Sequence, residues 1–188
     1  MAISEPIVIR RAQSSDARGI AEVHVTAWRE TYRGTVPDAY LDSLSVDERE
    51  ARWHRLDAPD NRSFAFVAVD GARHVIGFAS GGPRRDGPEE YASELNAIYL
   101  LRASQGHGIG RRLVAAVARE LAAREMPSML LWVFRDNLPA RRFYEALGGT
   151  LLTSQQFEID GQAITEVSYG WLDATALYAD DGNGGEKQ

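Results

Sequence analysis

The sequence predicts an α/β domain built on a mixed sheet, and three observations carry that prediction. Strand-like and helix-like patterns follow one another in the order β-α-α-α-β-β-β-α-β-α-β-β. Two strand–helix units begin at Glu94 and Met129, and the second opens on Met129–Phe134 (MLLWVF), the unbroken apolar run of a strand buried on both faces. Asp70-Gly71-Ala72-Arg73 and Asp160-Gly161 are hairpin signals, which bring antiparallel pairs into the sheet.

Taken in order, residues 7–10 (IVIR) form a short β-branched strand. Ser14-Ser15-Asp16 then offers capping oxygens, and Ile20, Val23, His24, Ala27, Trp28 and Thr31 follow at helical spacing. Pro37 opens a second, short helix through Tyr40, Leu41 and Leu44. Ser45 and Glu48 form a capping box for a third, which ends before Pro59. Residues 64–69 and 74–80 are the strands of the first hairpin, and residues 81–88 (GGPRRDGP) are a loop by composition. Residues 94–101 (ELNAIYLL) are the next strand. From Gly108 the pattern turns helical, with Leu113, Val117 and Leu121 every four residues and Arg112, Arg119 and Arg124 among the polar positions. Asp136-Asn137 caps a helix stopped by Gly148-Gly149, and residues 151–159 and 163–171 make the last hairpin. The domain is therefore expected over residues 7–172, after a flexible N-terminus of residues 1–6. Residues 173–188 are expected to be a disordered tail, because its stretch from Ala179 to Gly185 has nothing to bury.

Composition narrows the function. At 188 residues, 44% apolar and 26% charged, the chain has the make-up of one soluble domain. A net charge of −6 argues against a broad nucleic-acid surface, though not against a local anion site. The absence of cysteine excludes disulfides, thiolate metal sites and a cysteine nucleophile. His54, His74 and His107 share no ligand spacing, so no metal is expected. The N-terminal segment lacks a basic region before an apolar core, and no apolar run nears the ~20 residues of a membrane span. A cytoplasmic location is the expectation; a homodimer is compatible with the pattern, which fixes no oligomeric state.

The most informative stretch is Gln105-Gly106-His107-Gly108-Ile109-Gly110 (QGHGIG), between a strand and a helix. A Walker loop would need Lys-Ser or Lys-Thr after the last glycine, and Arg111-Arg112 stands there instead. A dinucleotide fingerprint would need its third glycine one residue later. Two readings remain. The glycines permit close helix–strand packing, or they form a nest of outward backbone N–H groups at a helix start, which binds an anion without a cationic side chain. Arg111 and Arg112 add charge nearby or are solvated face residues.

This stretch resembles the Gln/Arg-x-x-Gly-x-Gly/Ala hallmark of the GCN5-related N-acetyltransferase (GNAT) family. A second segment, Asn137-Leu138-Pro139-Ala140-Arg141-Arg142-Phe143-Tyr144-Glu145-Ala146-Leu147-Gly148, is similar to that family's N-x-x-A-x-x-F-Y-x-x-x-G. The likeness in element order covers about residues 7–171. Arg102 departs from the pattern, since relatives often carry proline there. The resemblance implies a mostly antiparallel mixed sheet with a central splayed strand pair, helices on both faces, and acetyl-CoA as donor. It implies that backbone groups of Ile98, Tyr99 and Leu100 meet the pantetheine, and that amides of Gln105, Gly106, His107, Gly108, Ile109, Gly110 and Arg111 take the pyrophosphate. It also implies that Asn137 and Ala140 flank the cofactor.

On that resemblance the reaction is acetyl transfer to a primary amine by direct attack. The amine, with a pKa of ~10.4 in water, must lose its proton, so a base or a water path is needed. The oxyanion wants a donor, such as a backbone N–H of the Ile98–Leu100 stretch. The departing thiolate wants a proton, and Tyr144 matches the family tyrosine that supplies it; otherwise Tyr144 is a core tyrosine beside Phe143. Glu94 matches the strand carboxylate that works through water in relatives, and otherwise reads as a solvated strand end. Trp28 and Tyr32, four apart on one helix, are acceptor contacts or core. His24 reads as a core or helix-face histidine, and Arg84-Arg85 as a solvated loop or a contact for an anionic acceptor. A non-catalytic acyl-CoA-binding sensor is the competing function, and the acceptor amine is left open.

Overall fold

The computed structural model describes residues 7–58 and 61–179, so the expectations for residues 1–6 and 180–188 fall outside it. The chain runs β1 (Val8–Arg11), α1 (Ala17–Tyr32), α2 (Asp38–Ser43), α3 (Val46–Trp53), β2 (Phe64–Val69), β3 (Val75–Pro83) and β4 (Ser93–Leu100). It continues through α4 (Ile109–Ala123), β5 (Met129–Phe134), α5 (Leu138–Ala146), β6 (Thr150–Ile159) and β7 (Gln162–Trp171). This is the predicted order, with short 3-10 turns between elements.

Local chemistry sets the boundaries. The Ser45 hydroxyl accepts the Glu48 N–H at 3.3 Å and starts α3, while Asn137 Oδ1 accepts the Ala140 N–H at 3.3 Å and starts α5. The last hairpin turns on Asp160 (φ 49°) and Gly161 (φ 79°), the paired positive φ values of a type I′ turn.

Seven strands form one sheet in the order β1-β2-β3-β4-β5-β7-β6, antiparallel everywhere except between β4 and β5. That parallel pair meets at only two positions, Ser93 with Met129 and Glu94 with Leu130. A bulge explains the parting: Ser80 pairs with Ala97 but Gly81 with Leu95, which leaves Asn96 as an extra residue that bends β4. The two strands diverge beyond Glu94 and leave the backbone edge of Leu95–Leu100 unpaired toward β5. This is the splayed central pair expected from the resemblance.

Helices cover both faces. On one, α4 buries Leu113, Val117 and Leu121 completely against β2–β5, with α5 alongside. On the other, α1 lays Ile20 and Val23 over Val67 and Phe78. Among the described residues no helix is long and apolar enough to cross a membrane.

Two boundaries differ from expectation. β3 continues through Gly81-Gly82-Pro83, so the loop begins at Arg84. These glycines are packing positions, not breakers: a Cβ on Gly81 would stand 2.7 Å from Val117 Cγ1. The folded region also passes residue 172, because Ala174–Leu177 forms a 3-10 turn that buries Ala174 and Leu177 against α4. Two apolar residues spaced for one turn were hidden by the acidic, glycine-rich composition that follows them.

Candidate active site

The gap between β4 and β5 opens into a cavity of about 1100 Å³ that runs from the QGHGIG loop, past α5, to the bulge of β4. Its two ends are built from different materials.

At the loop end the material is backbone. Gly106 (φ 79°) and Gly108 (φ 74°) occupy left-handed conformations with open space where a Cβ would lie, so it is the backbone turn that requires glycine. Gly110 has a different reason: a Cβ there would sit 3.3 Å from Phe143 Cζ, which is the close-packing reading. Close packing therefore accounts for Gly110 but not for Gly106 or Gly108. Arg112 is the first α4 amide to find a backbone partner, donating to the Gly108 carbonyl at 3.2 Å, and no side chain caps the helix. The amides of Ile109, Gly110 and Arg111 are left at the positive end of a fifteen-residue helix, which suits an anion. Gln105, Gly106, Gly108, Gly110 and Arg111 line the cavity, whereas Ile109 packs its side chain into the core and the His107 ring is exposed outside it. Gln105 Nε2 also donates to the Leu100 carbonyl at 3.1 Å and ties the loop to the end of β4. At Arg102, the departure from the family pattern, the backbone N–H reaches Glu30 Oε2 at 3.3 Å and Nη2 reaches the Glu30 carbonyl at 2.8 Å. A proline could make neither bond.

Three tyrosines line the cavity beyond the loop. Tyr144, on α5, is 6% exposed and lines the gap, its ring near Phe143 (5.4 Å between centroids) and Tyr169 (6.2 Å). Burial, reinforced by Tyr32, drives its pKa well above the ordinary tyrosine value. Burial likewise raises Tyr99 and Tyr32, the latter held back by hydrogen bonding to Asn137 and Tyr99. All three therefore carry their protons at neutral pH. α5 is pinned so that Tyr144 keeps its direction: Arg141 Nε donates to the Tyr169 hydroxyl at 3.0 Å, that hydroxyl donates to Glu145 at 2.5 Å, and Trp171 Nε1 donates to the Leu147 carbonyl at 3.0 Å. Asn137 and Ala140 line the gap beside it.

At the bulge end the material is side chain. Trp28 and Tyr32 line the cavity and also pack on Phe134, 6.0 and 4.6 Å away by ring centroids, so wall and core are one role here. Glu94 is only 1% exposed, which corrects the solvated strand end. Arg85 holds it: the Arg85 N–H and Nε donate to Oε2 at 3.1 and 3.2 Å, and Nη2 donates to Oε1. Three of the roughly four lone-pair sites of the carboxylate are thereby used. Arg85 stays exposed, as a loop residue should, yet spends its guanidinium on Glu94. Arg84 instead donates to the Gly87 carbonyl at 2.7 Å.

Sequence reasoning missed Glu166. It lies on β7 opposite Gln155, whose Nε2 donates to it at 2.7 Å, and it lines the cavity near Glu94, Arg85 and Asp86. Burial and the neighbouring Glu94 raise its pKa. Glu166 is the one charged residue of β7, and that was the available signal. The Nε1 atoms of Trp28 and Trp132 and Asn96 Oδ1 are buried here with no partner among the described residues, so the end is furnished with unspent polar atoms. His24 stacks on Tyr99 at 4.9 Å with both ring nitrogens unpartnered, as a core histidine.

Comparison with known proteins agrees with this geometry. The model of the acetyltransferase (GNAT) family matches residues 17–149. The uncharacterized N-acetyltransferase YuaI of Bacillus subtilis is 41% identical over 91% of this chain and 96% of its own. A mycothiol acetyltransferase of a Nocardioides species is 32% identical over 74% of this chain, which spans 48% of that longer protein. Among solved structures, the PaiA N-acetyltransferase of Thermoplasma acidophilum in complex with coenzyme A superposes with a TM-score of 0.66 at 20% identity, over 88% of this chain and 99% of that one. Salmonella typhimurium YncA, solved with acetyl-CoA, gives 0.67 at 20% identity over 90% and 94%. With the splayed strands and both motifs on one cavity, the match establishes that the chain belongs to the acetyltransferase (GNAT) family.

Proposed function

We propose that this acetyl-CoA-dependent N-acetyltransferase transfers the acetyl group directly to a primary amine inside the β4–β5 cavity, with the donor entering from the QGHGIG end and the acceptor from the β4 bulge. The observation that carries the reading is the unpaired edge of β4 between an amide-lined helix start and a cluster of buried protonated tyrosines. The residues fit the donor: the loop amides through Arg111 take the pyrophosphate, the open edge of Ile98–Leu100 takes the pantetheine, and Asn137 and Ala140 bound it from α5. Bound acetyl-CoA supplies the acetyl thioester.

The chain's own groups do the rest. Tyr144, kept neutral by burial, gives its proton to the leaving sulfur. Backbone N–H groups of Ile98–Leu100 face the position where negative charge develops on the carbonyl oxygen. Glu94 receives the amine proton through water, and Glu166 beside it favours a cationic acceptor before that proton leaves. Trp28 and Tyr32 wall the acceptor. With no cysteine in the chain, an acetyl-thioester enzyme cannot form. A cytoplasmic location accords with the composition.

The test is calorimetry with acetyl-CoA alongside a thiol-release assay over an amine panel. Binding with amine-dependent release is expected. Binding without release from any amine would turn the reading over to a sensor.

A further inference from the structure

A second cavity, about 480 Å³, lies on the α1–α3 side of the sheet and shares two wall residues, Arg85 and Asn96, with the acceptor end of the first. Its character is cationic. Arg49 and Arg52 project into it from α3, and Arg85 closes the border. Two of the three acids of α3 are spent elsewhere: Arg18 takes Asp47 at 2.5 Å and Glu50 at 3.0 Å, and Glu50 also meets His54 at 3.4 Å. The third, Glu48, is exposed. Among the described residues neither Arg49 nor Arg52 has a carboxylate within ion-pair distance. Acids are not scarce, since the chain carries 27 against 21 Lys and Arg. Two guanidiniums three residues apart on a helix repel one another, an arrangement that a bound anion relieves.

Neutral groups in the same recess are equally unspent. Both ring nitrogens of His24 and Asn96 Oδ1 are buried there without a hydrogen-bond partner among the described residues. The charge of Arg49 bears on both His24, which lines this recess, and Tyr99, which lines the acetyl-transfer cavity. The donor's phosphates do not explain this site. They belong at the loop following Leu100, beyond the C-terminal end of β4, whereas Asn96 sits at the bulge in the middle of that strand.

On the reading that the bulge end receives the amine, we infer that the acceptor also carries an oxyanion group, a carboxylate or phosphonate, held by Arg49 and Arg52. The two cavities then serve the two ends of one molecule. The amine faces Glu94, Glu166 and Asp86, and the anion faces the arginine pair, with Asn96 and Arg85 at the join. Bidentate guanidinium–oxyanion geometry would fix which amine of a larger molecule reaches the thioester.

The test compares, for matched amines, the carboxylate, the aminophosphonate and the uncharged carboxamide. In the wild-type enzyme kcat/KM for one of the charged forms should exceed the carboxamide by about tenfold or more, and whichever leads identifies the oxyanion. In Arg49→Gln/Arg52→Gln that ratio should fall about tenfold through KM, while Arg49→Lys, which keeps the charge, should retain most of it. Calorimetry of the same amines into the enzyme with CoA gives a readout that needs no turnover, with a matching loss of affinity in the double variant. Equal use of charged and uncharged amines, or a preference that survives the double substitution, would overturn the inference and leave acetyl transfer standing. Selective binding with no thiol release from any amine would instead overturn the acetyl-transfer reading.

Discussion

The two ends of the cavity solve recognition in opposite ways. The loop end presents amides that exist in every polypeptide, and uses glycine only to aim them. Gly106 and Gly108 are needed for their φ values, not for anything they touch. The bulge end presents side chains drawn from α1, the β3–β4 loop, β4 and β7. A site made of backbone suits a donor that never varies; a site made of side chains suits an acceptor that differs from one enzyme to the next.

The sharpest way to break this contrast is at the centre, where both ends meet on Tyr144. If its hydroxyl serves only chemistry, Tyr144→Phe should lower kcat by about 100-fold or more while the acetyl-CoA Kd stays within about twofold. Thiol release and calorimetry on one preparation read both quantities. A variant with wild-type turnover would return Tyr144 to the role of core tyrosine.

The loop end makes the next largest prediction. Gly108→Ala meets open space but must adopt a φ of +74°, which costs about 1–2 kcal/mol for an L residue. The acetyl-CoA Kd should weaken about tenfold, with kcat at saturating donor nearly unchanged. Gly110→Ala has ordinary helical geometry and only the 3.3 Å approach to Phe143, so its Kd should move by no more than about threefold. Equal effects at the two glycines would mean that the loop acts through packing rather than through aimed amides.

The same contrast governs what could be read from the sequence. The element order and the loop end were legible because each depends on contiguous residues: QGHGIG is one turn, and Asn137–Tyr144 is one cap and two turns of helix. The bulge end was not. Glu94 and Arg85 are nine residues apart across a loop, and Glu166 and Gln155 face each other across a hairpin. Nothing in local spacing says that Glu94, Arg85, Glu166 and Asn96 converge. Only the β-bulge and the insertion of β7 beside β5 bring them together. Gly81-Gly82-Pro83 misled for a related reason, since its glycines answer to a helix packed above the strand and not to a turn.

The smallest effect separates the two ends by pH. His24, beside the bulge end, is buried with its ring nitrogens unpartnered, and Arg49 and Arg52 add repulsion, so its pKa falls from 6.5 to about 3. Between those values the unfolded chain binds a proton that the folded one refuses, so the stability is whole above pH 6.5 and is lost as pH falls toward 3. From pH 7 to 5 this amounts to about 1–2 kcal/mol. Phenylalanine at this position keeps the stack on Tyr99 and surrenders no hydrogen bond, so His24→Phe should flatten that part of the urea-unfolding stability profile. Gly108→Ala should shift the whole profile without altering its slope, because amides at the loop end do not titrate. A wild-type slope in His24→Phe would show that the histidine can take up a proton in the folded state, and the sequestered role assigned to it here would fall.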